Sequence, residues 1–377
     1  YLKYGFWASS YDEELPVPGL TVRFVRSIED VTAQILGNVP SISGEQERAK
    51  IVAENIAALK KELEAENEGM SIQILPFFGG NQYFAFVMEV FRDIRLVGTP
   101  PSSIGKFGGD TDNWMWPRHT GDFSVFRVYA DKDNRPADYS KDNRPYEAPR
   151  HLEISLDGVR EGDFAMVMGF PGSTERYMTS YEIDQTLEVD NPQRIYIRGL
   201  RQDIMRRYMD ASDEVRIKYA SKYAGSSNYW KNSIGMSRGL ERLNVKAKKQ
   251  AEEEAFQSWA EKNTLPEEGY IEALPKIREA VTNITPIWAS MQYIQEAFLS
   301  SVELIRNAAQ TLDKERLEAF FGDYDAALDH EVARCMFRIA RENMRPEDLP
   351  SIYADVIDKR FGGDTDAYVD WLYETSA

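Results

Sequence analysis

The residues best suited to chemistry crowd into one short stretch. Gly105 to Asp122 sets Trp114 and Trp116 among Asp110, Asp112, Asn113, Arg118, His119, Asp122 and four glycines. Tryptophans in a connecting loop either plug a core or face a ligand, because bare exposure leaves much apolar area in water. The polar groups and glycines around them equally suit a binding loop. Asp110-Thr-Asp112-Asn113 opens like a calcium loop. Its sixth position is Met115 instead of Gly, however, and its twelfth is Gly121 instead of Glu. His119, His151 and His330 lie far apart, and no HExxH occurs, so no metal site is expected. Gly235-Met-Ser237-Arg-Gly239 has the letters of a nucleophile elbow. That device needs a strand before the serine, and Lys231 to Ile234 read as loop or helix.

The elements that must position these residues fall into two textures. Up to about residue 175, short strands alternate with turns. Met70, Ile72 and Ile74 alternate with polar residues, and Tyr83–Val97, Asp122–Tyr129 and Phe164–Phe170 are β-rich runs. Gly and Pro punctuate between them. This suggests an antiparallel barrel or sandwich. One helix interrupts: Ser43 and Gln46 have capping-box spacing, and Val52, Ile56, Leu59 and Leu63 form a stripe that would pack on the barrel. Beyond residue 175 the pattern is helical. Asn191-Pro192 reads as a helix start, with Ile197, Leu200, Ile204 and Tyr208 following at helical spacing. Leu240 to Asn263 reads as a solvated helix, and amphipathic stretches follow near 286–309, 328–343 and 365–375. Phe-Gly-Gly-Asp-Thr-Asp occurs at 107–112 and again at 361–366, and is read as turn chemistry in both places.

Composition narrows the function classes. With 45 basic and 62 acidic residues in 377, the net charge is −17, which argues against nucleic acid as the main partner. No apolar run approaches the ~18–20 residues of a membrane span. Cys335 is the single cysteine, so no disulfide forms within the chain and no cysteine-based metal site exists. The first residue is Tyr1 and no charged-then-apolar leader follows, so either a leader has been removed or the chain is a piece of something longer.

Four segments together carry a resemblance: Phe6–Val22 (FWASSYDEELPVPGLTV), Gly105–Tyr129, Gly169–Tyr177 (GFPGSTERY) and Ser226–Gly235 (SSNYWKNSIG). Their order and wording resemble the bacterial serine dipeptidyl-peptidases of the 7/11 type. The resemblance implies part of a chymotrypsin-like antiparallel β-barrel over 1–175, followed by a mostly α-helical cap domain over 176–377. It implies release of dipeptides from peptides with a free N-terminus, without a cofactor. Export to the periplasm or cell surface and a homodimer are further family expectations.

The resemblance also assigns residues. The triad aspartate falls on Asp122, at the end of W-P-R-H-T-G-D. A carboxylate buried at a strand start would orient a histidine and stabilise its imidazolium. The substrate's α-ammonium would be read by Asn113, Trp114 and Asn228, through an amide acceptor and an aromatic group. The family's histidine motif precedes F-W-A, and its serine motif follows the helical domain. Neither occurs between Tyr1 and Ala377, and His119 sits too close to Asp122 to replace the histidine. The expectation is a fragment inactive alone. In that architecture the pocket for the residue before the cut is built by the second barrel. Two other readings stand beside this one. The first is a non-catalytic peptide-binding module that keeps the ammonium clamp. The second is an unrelated hydrolase using Ser237.

Overall fold

The computed structural model describes residues 1–377 except 2, 41–43, 116, 167, 170–173, 309–312 and 376–377. It divides into two units, Tyr1–Phe107 with His119–Met166, and Gly108–Arg118 with Val167–Ala377.

The first unit is an antiparallel β-structure. Strands β1 (Phe6–Trp7), β2 (Leu15–Pro16), β6 (Asp93–Thr99), β7 (Val125–Ala130) and β8 (Arg144–Pro145) form one sheet. Its order is β1-β6-β7-β8, with β2 also on β6. Strands β3 (Val22–Asp30), β4 (Ser71–Phe77) and β5 (Gln82–Phe91) form a second sheet in the order β3-β5-β4. Phe91, Ile94 and Ala130 bury a shared core against Val22, Phe24, Val128 and Tyr146.

Short helices α1 (Thr32–Leu36) and α3 (Ser102–Gly105) punctuate this unit around one long helix, α2 (Glu45–Glu66). The expected stripe Val52, Ile56, Leu59 and Leu63 packs α2 on Tyr83, Ala85 and Ile74 of the second sheet. The capping serine expected at Ser43 lies outside the described residues. Gly44 occupies the N-cap in extended backbone.

A buried ion pair fixes the barrel sheet. The Arg95 guanidinium donates to both Asp93 oxygens, at 3.0 and 2.8 Å, and to the Ser140 carbonyl at 3.0 Å. It also lies 3.6 Å from the Tyr129 ring centre. Burial pushes the Asp93 pKa up, but the bonds from Arg95 and Asn143 outweigh it and hold the carboxyl below its ordinary value. Tyr129 is pushed up to about 12, first by burial and then by its bond to Glu14.

The strand expected over Phe164–Phe170 does not form among the described residues. Leu152, Ile154 and Leu156 alternate as a strand would, yet they are 79%, 90% and 94% exposed. Alternation alone gives no strand where no neighbouring strand accepts the pairing.

The second unit holds α4 (Gly109–Asp112), α5 (Ser180–Gln185), α6 (Asn191–Ala211), α7 (Asp213–Arg242), α8 (Val245–Asn263), α9 (Tyr270–Tyr293), α10 (Glu303–Ala308), α11 (Lys314–Gly322), α12 (Ala326–Asn343), α13 (Asp358–Phe361) and α14 (Thr365–Thr375). Ile197, Ile204, Tyr219, Val332, Met336 and Val369 are among its buried core. The start expected at Asn191-Pro192 is a correction. A capping box at Thr179 starts α5, and a π-helical segment, Thr186–Asp190, carries the chain on into α6. Pro192 lacks an N–H, and the wider π turn absorbs that gap. Asn191 is buried and its amide donates to Ser237 Oγ at 3.0 Å.

The repeated hexapeptide turns in two ways. At 361–366, Gly362 and Gly363 are left-handed and Asp364 caps α14 through the Asp366 and Ala367 amides. At 107–112 the same letters build α4 itself.

Candidate functional site

The candidate site grows from helix α7, whose motif Ser226–Ser233 has two faces. Ser226, Ser227 and Ser233 are buried. The Gln202 amide donates to Ser226 Oγ, and Trp230 Nε1 donates to the Ile195 carbonyl at 3.0 Å, so this face docks on α6. Asn228 and Lys231, three residues apart, therefore share another side of the helix.

That side holds the loop carrying Asn113 and Trp114. Two glycines make the loop possible. A methyl on Gly108 would overlap the Asp112 carboxylate, and Gly109 is left-handed at φ +53°. Asp112 is buried. Trp114 is also left-handed, at φ +58°, a conformation that costs a non-glycine residue about 1–2 kcal/mol. Such a conformation persists only where its surroundings hold it.

The holding contacts are explicit. Asn113 Nδ2 donates to Asn228 Oδ1 at 3.0 Å. Trp114 Nε1 donates to the same oxygen at 2.9 Å and to the Asn228 carbonyl at 3.1 Å. Lys231 Nζ donates to the Thr111 carbonyl at 2.9 Å. Asn228 Oδ1 thus takes two donors, the full capacity of an amide oxygen. Its bond to Asn113 Nδ2 fixes the orientation of the Asn113 amide. Asn113 Oδ1 then faces away from the bond and accepts nothing among the described residues. Trp114 remains 53% exposed beside it. An open amide acceptor beside an accessible aromatic ring is chemistry that suits an ammonium group.

The resemblance implies Asn113, Trp114 and Asn228 as one ammonium site, and hydrogen bonds join these three side chains. It does not single out Lys231; the available signal was its i, i+3 spacing from Asn228. Trp116 lies outside the described residues. Asp122 belongs to the other unit. Its backbone is pinned on both sides, by the Gly121 amide on the Ile104 carbonyl at 3.1 Å and by Thr99 Oγ1 on the Phe123 carbonyl at 3.4 Å. Its carboxylate is exposed and lies before β7, not buried at a strand start as expected.

Ser237 agrees with the reading that no strand precedes it, and the hydrolase alternative built on it loses its support. It lies inside α7, with no strand before it, and its hydroxyl accepts from Asn191, so it is a helix-packing serine. No group of three or more His, Cys, Asp or Glu side chains that could hold a metal occurs among the described residues. No described helix is long and apolar enough to cross a membrane.

Residues 1–377 match the model of the family Peptidase S46. The chain belongs to that family. It is similar to dipeptidyl-peptidase 7 of Porphyromonas gingivalis, with 44% identity covering 100% of this chain and 54% of that protein. It is similar to the Asp/Glu-specific dipeptidyl-peptidase of Flavobacterium psychrophilum, with 42% identity covering 96% of this chain and 53% of that protein. Its fold resembles the crystal structure of Porphyromonas endodontalis DPP11 in complex with the dipeptide Arg-Asp, with a TM-score of 0.87 and 36% identity over 99% of this chain and 56% of that one. The chain therefore spans about half the length of these relatives.

Proposed function

We propose that the protein containing this chain is a serine dipeptidyl-peptidase that releases dipeptides from peptides with a free N-terminus. The observation that carries this reading is the open Asn113 Oδ1, fixed by its amide bond to Asn228 beside the half-exposed Trp114. An acceptor of this kind holds the substrate's α-ammonium at a fixed place. A nucleophile set two residues away then cuts only the second peptide bond. Membership of the S46 family and the dipeptidyl-peptidase relatives support the same reading.

In this proposal a serine attacks the second carbonyl and a histidine takes its proton and passes it to the leaving amine. Asp122 accepts the far N–H of that histidine and stabilises the imidazolium. Its pinned backbone suits an orienting role. The histidine and serine are not among residues 1–377 in the expected motifs, so this chain alone is proposed to turn over no peptide.

The test is digestion of an unblocked oligopeptide by the full-length protein, with products read by mass spectrometry. The proposal expects loss in steps of two residues from the N-terminus. Asp122→Asn should lower kcat by about 10⁴-fold with folding intact. Release of single residues, or of internal fragments, would contradict it. A peptide that is bound but never cut would favour a binding module. On the same family likeness we place the whole protein outside the cytoplasm as a homodimer, which cell fractionation and light scattering check.

A further inference from the structure

We propose that Lys231 is a positioning residue for recognition of the substrate's amino terminus. It acts by holding the turn 109–114 against α7, and this inference rests on the proposed role of Asn113 and Trp114. Helix α4 is a single turn, Gly109–Asp112, whose last carbonyl, that of Asp112, accepts from the Met115 amide at 3.2 Å. Lys231 Nζ donates to the carbonyl before it, that of Thr111, at 2.9 Å. A lysine ammonium is a favourable partner for the C-terminal carbonyls of a helix.

The bond matters because the next residues are strained. Trp114 sits at φ +58°, and its indole and the Asn113 amide are tied to Asn228 on the same helix. Asn228 holds the C-terminal end of the turn, and Lys231 holds the turn one helical step before it. Two tethers from one rigid helix fix both the position and the rotation of the turn. Without Lys231, the bonds of Asn113 and Trp114 to Asn228 hold the C-terminal end of the turn, and the segment at Thr111 loses its bond to α7. Asn113 Oδ1 would then leave the place where an ammonium is met. Lys231 contributes no contact to the reacting atoms in this account; it sets where Asn113 points.

The test uses the full-length protein, a dipeptidyl substrate with a free amine, and its N-acetylated counterpart. Lys231→Met keeps the aliphatic stem and removes the donor. The expected result is about a tenfold rise in KM for the free-amine substrate with kcat nearly unchanged, that is about 1.4 kcal/mol. Lys231→Arg should recover most of the loss. In an Asn113→Ala background Lys231→Met should cost nothing more, since both act through one acceptor. Circular dichroism and the thermal midpoint verify that each variant folds.

Three results would overturn the inference. One is an unchanged KM in Lys231→Met while Asn113→Ala is impaired. Another is a loss that adds fully to that of Asn113→Ala. The third is a loss in kcat alone. If Asn113→Ala is itself unimpaired with free-amine substrates, the reading of the ammonium site fails, and the role of Lys231 falls with it.

Discussion

Replacing Asn228 by alanine should loosen the amino-terminal clamp by a predictable amount. The side-chain oxygen of Asn228 accepts from Asn113 at 3.0 Å and from Trp114 at 2.9 Å. Alanine removes both bonds but keeps the backbone carbonyl, which Trp114 Nε1 also reaches at 3.1 Å. A neutral hydrogen bond contributes about 0.5–1.5 kcal/mol net. Trp114 is half-exposed and water can replace part of what is lost, so the lower end applies. Two bonds then give about 1–2 kcal/mol. The left-handed strain at Trp114 pushes the same way once the restraint is gone. A shift of that size changes the equilibrium of the competent turn by about five- to thirty-fold, and apparent affinity falls by at most the same factor.

The assay is steady-state hydrolysis of a dipeptidyl fluorogenic substrate by the full-length protein, with KM and kcat separated. Asn228→Ala should raise KM by at most about thirty-fold and leave kcat within about two-fold. Asn228→Asp is the control. Its carboxylate still accepts from both donors, so KM should stay near wild type. An unchanged KM in Asn228→Ala, or equal losses in Asn228→Ala and Asn228→Asp, would refute the reasoning.

Three further outcomes follow from the two units. Asp93→Asn strips the buried Arg95 guanidinium of its counter-charge, and should lower stability by about 3 kcal/mol at pH 7, read as a fall in the urea midpoint with m unchanged. Burial pushes the Asp329 carboxyl above its ordinary value, against bonds from Tyr373, Tyr324 and the Glu303 and Leu304 amides. The folded state therefore binds that proton more tightly than the unfolded state. Its contribution to stability is present below the ordinary carboxylate pKa and is lost as pH rises through the raised one. The stability difference between wild type and Asp329→Asn, measured in urea, should shrink over that window; a difference that grows would contradict the assignment. Leu152, Ile154, Leu156 and Phe164 are exposed outside any strand, so the amides of these four residues in the 377-residue chain should exchange within seconds, and protection of them would contradict the fold described.

Much of this was legible where local pattern and packing agree. The stripe Val52, Ile56, Leu59 and Leu63 spelled a helix with one apolar face, and α2 lies on the sheet as that stripe requires. Ile197 and Ile204 did the same for α6. Pattern failed where its outcome depends on distant chain. Phe164–Phe170 is a β-rich run, yet no strand forms among its described residues, because a strand is stabilised by a neighbour the pattern does not specify. Asn191-Pro192 has the letters of a helix start, yet a preceding π segment lets the helix run through it. Ser237 matched a motif whose meaning lies in the backbone before it; the loop-or-helix reading of Lys231 to Ile234 spoke against that motif, and the backbone there is helix.

The site was legible only in part. Asn113, Trp114 and Asn228 could be named from their motifs, but 114 residues separate Trp114 from Asn228. Their meeting at one amide oxygen is a tertiary fact. Lys231 carried no distinguishing letter, since a lysine on a long helix usually faces solvent.

The central claim is that Asn113 Oδ1 reads a substrate's free amino group. Its most direct test is the ratio of kcat/KM for a free-amine dipeptidyl substrate to that for its N-acetylated counterpart, in the full-length protein and in Asn113→Ala. A hydrogen bond to a charged donor contributes about 1.5–3 kcal/mol, so the ratio should fall by about ten- to a hundred-fold in the variant. The loss should lie in the free-amine substrate alone. An unchanged ratio, or an equal loss on both substrates, would contradict the account.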